Sequence, residues 1–340
     1  MILVTGGLGY LGSHIALDLM SKGHEVVLVD NLSHSSMETL ERLEYITKLY
    51  IPFMRLDVRN TPALQKIFEQ YQIEYVINTA GFKSLHEANI RPLDYYNNNL
   101  VIVMSLLRAM QRASVRRLVN ISSSMVYGKN GADFKETDTF AKDIENPYVR
   151  SQQMVDQIFN DIYRVDDYWQ ISNLRVGNII GAHPTSELGE WTPPLPNSVL
   201  PYLLQVAAGQ RDIFEIHHTN LATEDGSVER AYLHVMDLVD AIYKIMSWST
   251  QQQNYLKHIN VNHSELTSLK ELIKVVEKVT ENKILAEPYQ IAETTFDQIK
   301  ANTDELQSMI EWQPQYSLSD MVEHQWKFYQ KMIEKKNKAL

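Results

Sequence analysis

The stretch Ile2–Ser13, ILVTGGLGYLGS, restricts what this chain can become more than any other part of it. A β-branched run comes first, then glycines, then an amphipathic segment. Gly7, Gly9 and Gly12 satisfy G-x-G-x-x-G, and Gly6, Gly9 and Gly12 satisfy G-x-x-G-x-x-G. Glycines at these spacings let the backbone turn tightly from strand to helix. They also let a pyrophosphate approach the helix N-terminus, where free amides and the helix dipole favour negative charge. A plain Gly-rich turn would show the same spacing, so the context decides. Asp30 ends the next β-branched run, VVLVD, 18 residues past Gly12. A carboxylate there accepts hydrogen bonds from adenosine ribose hydroxyls and repels a 2′-phosphate. No Arg or Lys follows in NLSHSS, so NAD is predicted over NADP. Asp57 and Val58, after the third run, are placed to cover adenine; the alternative for Asp57 is a helix cap ahead of Thr61 and Pro62.

Short β-branched runs alternate with stretches of helical period through the first half of the chain, which predicts βαβ units and a parallel sheet. The strands are expected at Ile2–Thr5, Glu25–Asp30, Pro52–Leu56, Glu74–Thr79, Arg117–Ser122, Ile171–Val176 and Leu256–Val261. Helices are expected at Leu11–Lys22, Pro92–Ala113 and Pro147–Val165. From about Val176 the segment GAHPTSELGEWTPPLPNSVLP reads as a long ordered loop across the C-terminal edge of the sheet. The predicted fold is α/β: a Rossmann doubly wound parallel sheet with a smaller C-terminal α/β substrate-binding lid. Residues 1–175 form the NAD-binding domain, with 225–262 returning to it, and residues 176–224 and 263–340 form the lid.

Composition removes several classes of function. Asp+Glu total 42 against 32 Lys+Arg, a net charge of -10, which argues against nucleic acid as a partner. With no cysteine the chain has no disulfide, thiolate metal site or cysteine nucleophile. No apolar run approaches the roughly 20 residues of a membrane span. The first strand begins straight after Met1 and leaves no room for a leader, so a cytoplasmic protein is expected. Neither G-x-S-x-G nor H-E-x-x-H occurs, and the histidines show no ligand spacing, so no metal is predicted.

The motifs VTGGLGYLGS, VDNLS, AGFKSLHEANIRPLDYYNNN, SSSMVYG, NPYVRSQ, GAHPTSELGE and TEDGSVERAYLHVMDLVDA span nearly the whole chain. Together they resemble the extended short-chain dehydrogenase/reductases and, among these, the UDP-glucose 4-epimerase family. The resemblance implies a tightly held NAD that takes a hydride from C4 of a UDP-sugar and returns it to the other face. It implies Tyr148 as acid/base and Ser123 as its hydrogen-bonding helper, both touching substrate. Gly6, Gly9, Tyr10, Leu11, Gly12, Asp30, Asn31, Asp57, Val58, Lys83, Asn98 and Tyr148 are implied as cofactor contacts. Asn178, Asn197, Ser198, His217 and Arg230 are implied as contacts to the UDP-sugar. A homodimer packed through Pro92–Ala113 and Pro147–Val165 is implied as well. Each side chain also has a structural reading: Ser123 satisfying a strand end, Lys83 solvated, Asn178 in a turn, Arg230 paired with Glu229 or Asp237, His217 in a surface loop.

The family signature is Tyr-x-x-x-Lys, whereas this chain has Tyr148-Val-Arg-Ser-Gln152. Gln152 can donate to a ribose hydroxyl but carries no charge to lower the tyrosine pKa. Gly177 stands where the family has an aromatic, leaving room in the sugar pocket, and Ala292–Thr295 replaces an Arg-x-Gly-Asp stretch. Two readings follow: a 4-epimerase of a UDP-hexose weakened by Gln152, or an NAD-binding pseudoenzyme serving as a sensor or interaction module. Another sugar-nucleotide-modifying member of the superfamily is a third.

Overall fold

A computed structural model of the chain describes residues 1–338 apart from 129, 143, 192–195, 197, 218 and 290–295. Its centre is a seven-stranded sheet, parallel throughout, in the order Tyr255–Val261, Gln170–Val176, Arg117–Ser123, Tyr75–Asn78, Ile2–Thr5, Val26–Asp30, Phe53–Arg55. All seven expected strands form, within a residue at each end. Alternation sends Ile2, Val4, Val26 and Leu28 to one face, under the helices Tyr10–Ser21, Met37–Thr47 and Val235–Ser249. Leu3, Val27 and Val29 go to the other, under Thr61–Gln70, Pro92–Arg112 and Pro147–Val165. The sheet is therefore doubly wound, a Rossmann-like α/β fold. Strand order reverses between Ile2–Thr5 and Tyr75–Asn78, and the crevice at such a switch point is where these sheets bind ligands.

The C-terminal segments, with Gly131–Phe134, form smaller units. Thr267–Ser268, Glu229–Arg230, Gln298–Ala301 and Gly131–Phe134 make a four-stranded sheet. Asn178–Ile180 pairs with Tyr232–His234. The helices Val199–Ala207, Leu269–Thr280 and Leu318–Lys338 share a further apolar core. No described helix is long and apolar enough to cross a membrane.

Under the Tyr148-bearing helix, the buried face of the sheet carries a row of polar side chains rather than aliphatic ones. Thr5 Oγ1 donates to Asn78 Oδ1 at 2.6 Å, Asn78 Nδ2 to Asn120 Oδ1 at 2.7 Å, and Asn120 Nδ2 to Asn173 Oδ1 at 2.7 Å. Asn173 Nδ2 then donates to Asp156 Oδ1 on the helix Pro147–Val165. The buried guanidinium of Arg175 lies 2.8 Å from Oδ2 of that carboxylate. Every dipole in the row points the same way and ends on an anion, so neighbouring bonds reinforce one another.

Four histidines sit between the sheet domain and the C-terminal helix. The rings of His14 and His183 are 6.5 Å apart, and His234 Nε2 is 3.1 Å from His324 Nδ1. His14 Nδ1 donates to the Tyr10 carbonyl, while its buried Nε2 has no hydrogen bond among the described residues. His234 Nδ1 accepts the Met236 amide as a helix cap, a role only a neutral ring can fill. Burial, with the neighbouring rings adding to it, lowers the pKa of His14 to about 4 and of His234 to about 3. His183 and His324 are lowered too, although Asp18, Glu187, Asp320 and Glu323 face them. These rings stay neutral in the folded protein at pH values where the unfolded chain already binds protons. Stability is therefore full above pH 6.5 and falls as pH drops toward 4. At pH 5 His14 and His234 together should cost about 4 kcal/mol. Asp237, raised to about 6 by burial, opposes them by about 1 kcal/mol. Urea unfolding at pH 7.5 and pH 5 measures the difference; equal midpoints would refute it.

Candidate active site

The glycine pattern has a steric cause at each end. Gly6 has φ +66°, and a Cβ there would lie 2.8 Å from Thr79 Oγ1 across the switch point. A Cβ on Gly12 would lie 2.1 Å from the Gly6 carbonyl oxygen. Gly9 is the N-cap of Tyr10–Ser21 and offers no side-chain cap, so the amides of Tyr10, Leu11 and Gly12 open the helix without acceptors. Asp30, buried at the end of its strand, accepts the Leu8 amide at 3.1 Å, the Leu32 amide at 2.9 Å and the Ser35 hydroxyl at 2.7 Å. Its carboxylate therefore fixes the glycine loop. Asn31 Nδ2 reaches Asp57 at 3.5 Å. Asp57 is no helix cap: Asn60 caps Thr61–Gln70, and Asp57 takes the Arg59 fork at 3.0 and 2.7 Å. That pair holds the Asp57 carboxyl below its ordinary pKa. The Val58 side chain is buried in the core.

On the other side of the crevice, Asn146 caps the helix Pro147–Val165 by accepting the Tyr148 amide at 3.0 Å, with Pro147 in the first turn. Tyr148 thereby enters one residue into the helix and lies buried, its ring edge-on to Tyr95 at 6.4 Å. Burial raises the phenol pKa, and a hydrogen bond with Ser123 works against it; no cation acts on this oxygen among the described residues. Ser123 also accepts the Met125 amide at 3.2 Å, so it serves the strand end and the tyrosine together. Gln152, one turn on, is 8% exposed, and its side-chain amide has no hydrogen-bond partner among the described residues. Arg150 turns away, to the Tyr96 hydroxyl at 3.3 Å and to the Ile144 carbonyl. Asn98, 4% exposed, has an Oδ1 with no partner among the described residues. An uncapped glycine-lined helix start, a buried acid at the end of the second strand and two buried amides without partners among the described residues fit a nicotinamide dinucleotide.

Lys83 is not simply solvated: Nζ lies 3.2 Å from Glu190 Oε1 and 3.5 Å from Ser198 Oγ. Asn178 lies on a strand, opposite Tyr232, and not in a turn. Arg230, buried, donates to the carbonyls of Glu229 at 2.8 Å and Asp297 at 3.4 Å; Asp237 instead accepts the amides of Gln315 and Tyr316. Burial lowers the Arg230 pKa. The space expected at Gly177 is filled: a Cβ there would lie 2.6 Å from Asn262 Oδ1 and 2.7 Å from the Ala231 carbonyl oxygen. That Asn262 oxygen is buried without a partner. His217 packs beside Tyr289, ring centroids 5.7 Å apart, with Glu215 3.7 Å away. Asn197 and the Ala292–Thr295 stretch lie outside the described residues.

Two contributors escaped the sequence. Asn99, inside the run Asn97–Asn99, donates to the Phe82 carbonyl and to Ser151 Oγ, both at 3.1 Å, and so ties the Lys83 loop to the Tyr148 helix. Glu190, within the quoted GAHPTSELGE, is the acid that meets Lys83. No cluster of three or more His, Asp or Glu among the described residues is placed to hold a metal ion.

Residues 2–262 match the model of the NAD dependent epimerase/dehydratase family. The chain is 35% identical over 331 residues to a UDP-glucose 4-epimerase of Neisseria meningitidis serogroup C, covering 96% of both chains. It is 34% identical over 334 residues to a UDP-glucose 4-epimerase of Bacillus subtilis, again with 96% of both covered. Its fold superposes with a TM-score of 0.93 on a Bifidobacterium longum UDP-glucose 4-epimerase solved in complex with NAD+ and UDP, at 29% identity over 97% of this chain and 98% of that one.

Proposed function

The chain belongs to the NAD dependent epimerase/dehydratase family, and on that premise we propose that it epimerises a UDP-hexose at C4, interconverting UDP-glucose and UDP-galactose. The observation that carries the reading is the buried Tyr148–Ser123 pair at the edge of a sheet whose glycine loop and unpartnered amides suit NAD. Bound NAD supplies a hydride acceptor and donor. The first-turn amides from Tyr10 to Gly12 hold its pyrophosphate, Asp30 its adenosine ribose, and Asn98, Lys83 and Gln152 its nicotinamide half. Tyr148 takes the proton of the sugar 4-hydroxyl onto its phenol oxygen and gives it back after the keto sugar has turned. Ser123 donates to that oxygen and fixes its direction. Arg230, with Asn178, Ser198 and His217, holds the UDP portion, since a guanidinium fork pairs with phosphate oxygens.

In this reading residues 176–224 and 263–340 are the lid over residues 1–175. Two copies meet through the paired helices Pro92–Arg112 and Pro147–Val165, where Leu93, Met104, Met154 and Val165 stand exposed; a monomer by light scattering would remove that part. The family match and the retained Tyr148 favour an enzyme over a pseudoenzyme. The deciding experiment identifies nucleotide released from the purified protein and follows conversion of UDP-galactose to UDP-glucose. NAD without any conversion of UDP-hexoses would sink the reaction; no NAD at all would sink the cofactor site too.

A further inference from the structure

Glu190 is 5% exposed, yet nothing in the proposed reaction uses it. Its Oε1 accepts Ser198 Oγ at 2.7 Å and faces Lys83 Nζ at 3.2 Å. Ser198 stands at the N-cap of Val199–Ala207 without capping it, and its hydroxyl donates to Glu190 instead. The Glu190 backbone is held from below on both sides: its amide donates to Gln325 Oε1 at 3.2 Å, and its carbonyl accepts Gln325 Nε2 at 2.7 Å. A Cβ on neighbouring Gly189 would meet Phe328 at 2.4 Å, so this turn is seated directly on the helix Leu318–Lys338. The hydroxyl of Tyr10, in the first turn of the phosphate-loop helix, donates to the Gly181 carbonyl, and burial, with the Glu190 charge adding to it, raises its pKa.

Glu190 thus bonds to two separate parts of the fold. Lys83 follows the strand Tyr75–Asn78 on one side of the switch point, and Ser198 begins a helix of the C-terminal part. A carboxylate beside an anionic dinucleotide is unfavourable alone, and Lys83 is the cation that offsets it. We infer that Glu190 is a positioning residue that holds Lys83 across the mouth of the dinucleotide crevice and thereby sets how slowly NAD leaves. This rests on the NAD reading above. The Lys83–Glu190–Ser198 connection joins the loop after Tyr75–Asn78 to the start of Val199–Ala207, and in this inference it opens as the dinucleotide leaves. Glu190 is the buried member of the pair and Lys83 the exposed one, and truncating a pair with a buried charge acts on dissociation rates.

The test uses the full chain loaded with NAD, desalted, and sampled over time for protein-bound nucleotide. Glu190→Gln should release NAD about tenfold faster than wild type, and Lys83→Met by a similar factor. The double variant should release it no faster than either single one, because the two side chains act as one unit. Ser198→Ala, which leaves the ion pair but removes one hydrogen bond, should give a smaller acceleration, and it carries the test if Glu190→Gln does not fold. Release unchanged in these variants, or effects that multiply in the double variant, would overturn the inference while leaving the cofactor site intact. A wild-type protein that binds no NAD would overturn both.

Discussion

Gln152→Lys should raise turnover near pH 7 by about one to two orders of magnitude and move the alkaline rise of the pH profile down by about two units. The Tyr148 phenol is buried, with only the Ser123 hydroxyl favouring its ionised form. A cation about 5 Å away at an effective dielectric of about 20 contributes roughly 3 kcal/mol to the phenolate. Without it, a phenol of ordinary pKa is ionised about one part in a thousand at pH 7, and burial reduces that further. The new ammonium would lie in a position that is 8% exposed, so it needs a partner there. NAD should accordingly raise the thermal midpoint of Gln152→Lys more than that of wild type. Identical rates and pH profiles for the two proteins would show that the neutral amide costs nothing.

Tyr148→Phe should lower UDP-galactose conversion by about 10³-fold while NAD content stays that of wild type. The substitution keeps the ring that packs against Tyr95 and removes one oxygen. The lost hydrogen bond with Ser123 is worth about 1 kcal/mol, too little to unfold the domain. Activity within tenfold of wild type would mean that another group moves the proton. Together the two variants bracket the acid/base step: one removes the oxygen, the other supplies the charge it lacks.

The parallel sheet was legible because its strands repeat one physical pattern, a short β-branched run ended by a polar or glycine residue, and each found its place within a residue. The phosphate loop was legible because steric demands leave few alternatives to glycine at Gly6 and Gly12. Tyr148 and Ser123 were legible as a pair only through the family pattern, since they come from different elements and meet in space. What escaped is what depends on three-dimensional neighbours. For Asp57, expected beside adenine with a helix cap as the alternative, the cap falls away because Asn60 takes that place and Asp57 pairs with Arg59. Gly177 looked like vacant space, but a side chain from the adjacent strand, Asn262, occupies it. Glu190 meets Lys83 across 107 residues of chain, and no local pattern announces that contact.

The asparagine row across the sheet has a consequence for how the chain reaches this fold. Parallel strands buried on both faces are near-continuous apolar runs, and such runs tolerate sliding past one another. Here Thr5, Asn78, Asn120 and Asn173 are directly opposed in adjacent strands. A slip of two residues keeps every side chain on its proper face, yet it strands the amides in an apolar layer at about 1–3 kcal/mol each. The row acts as a vernier: it rejects alignments that hydrophobic burial alone would accept, and it fixes the Tyr148 helix to the same scale through Asp156.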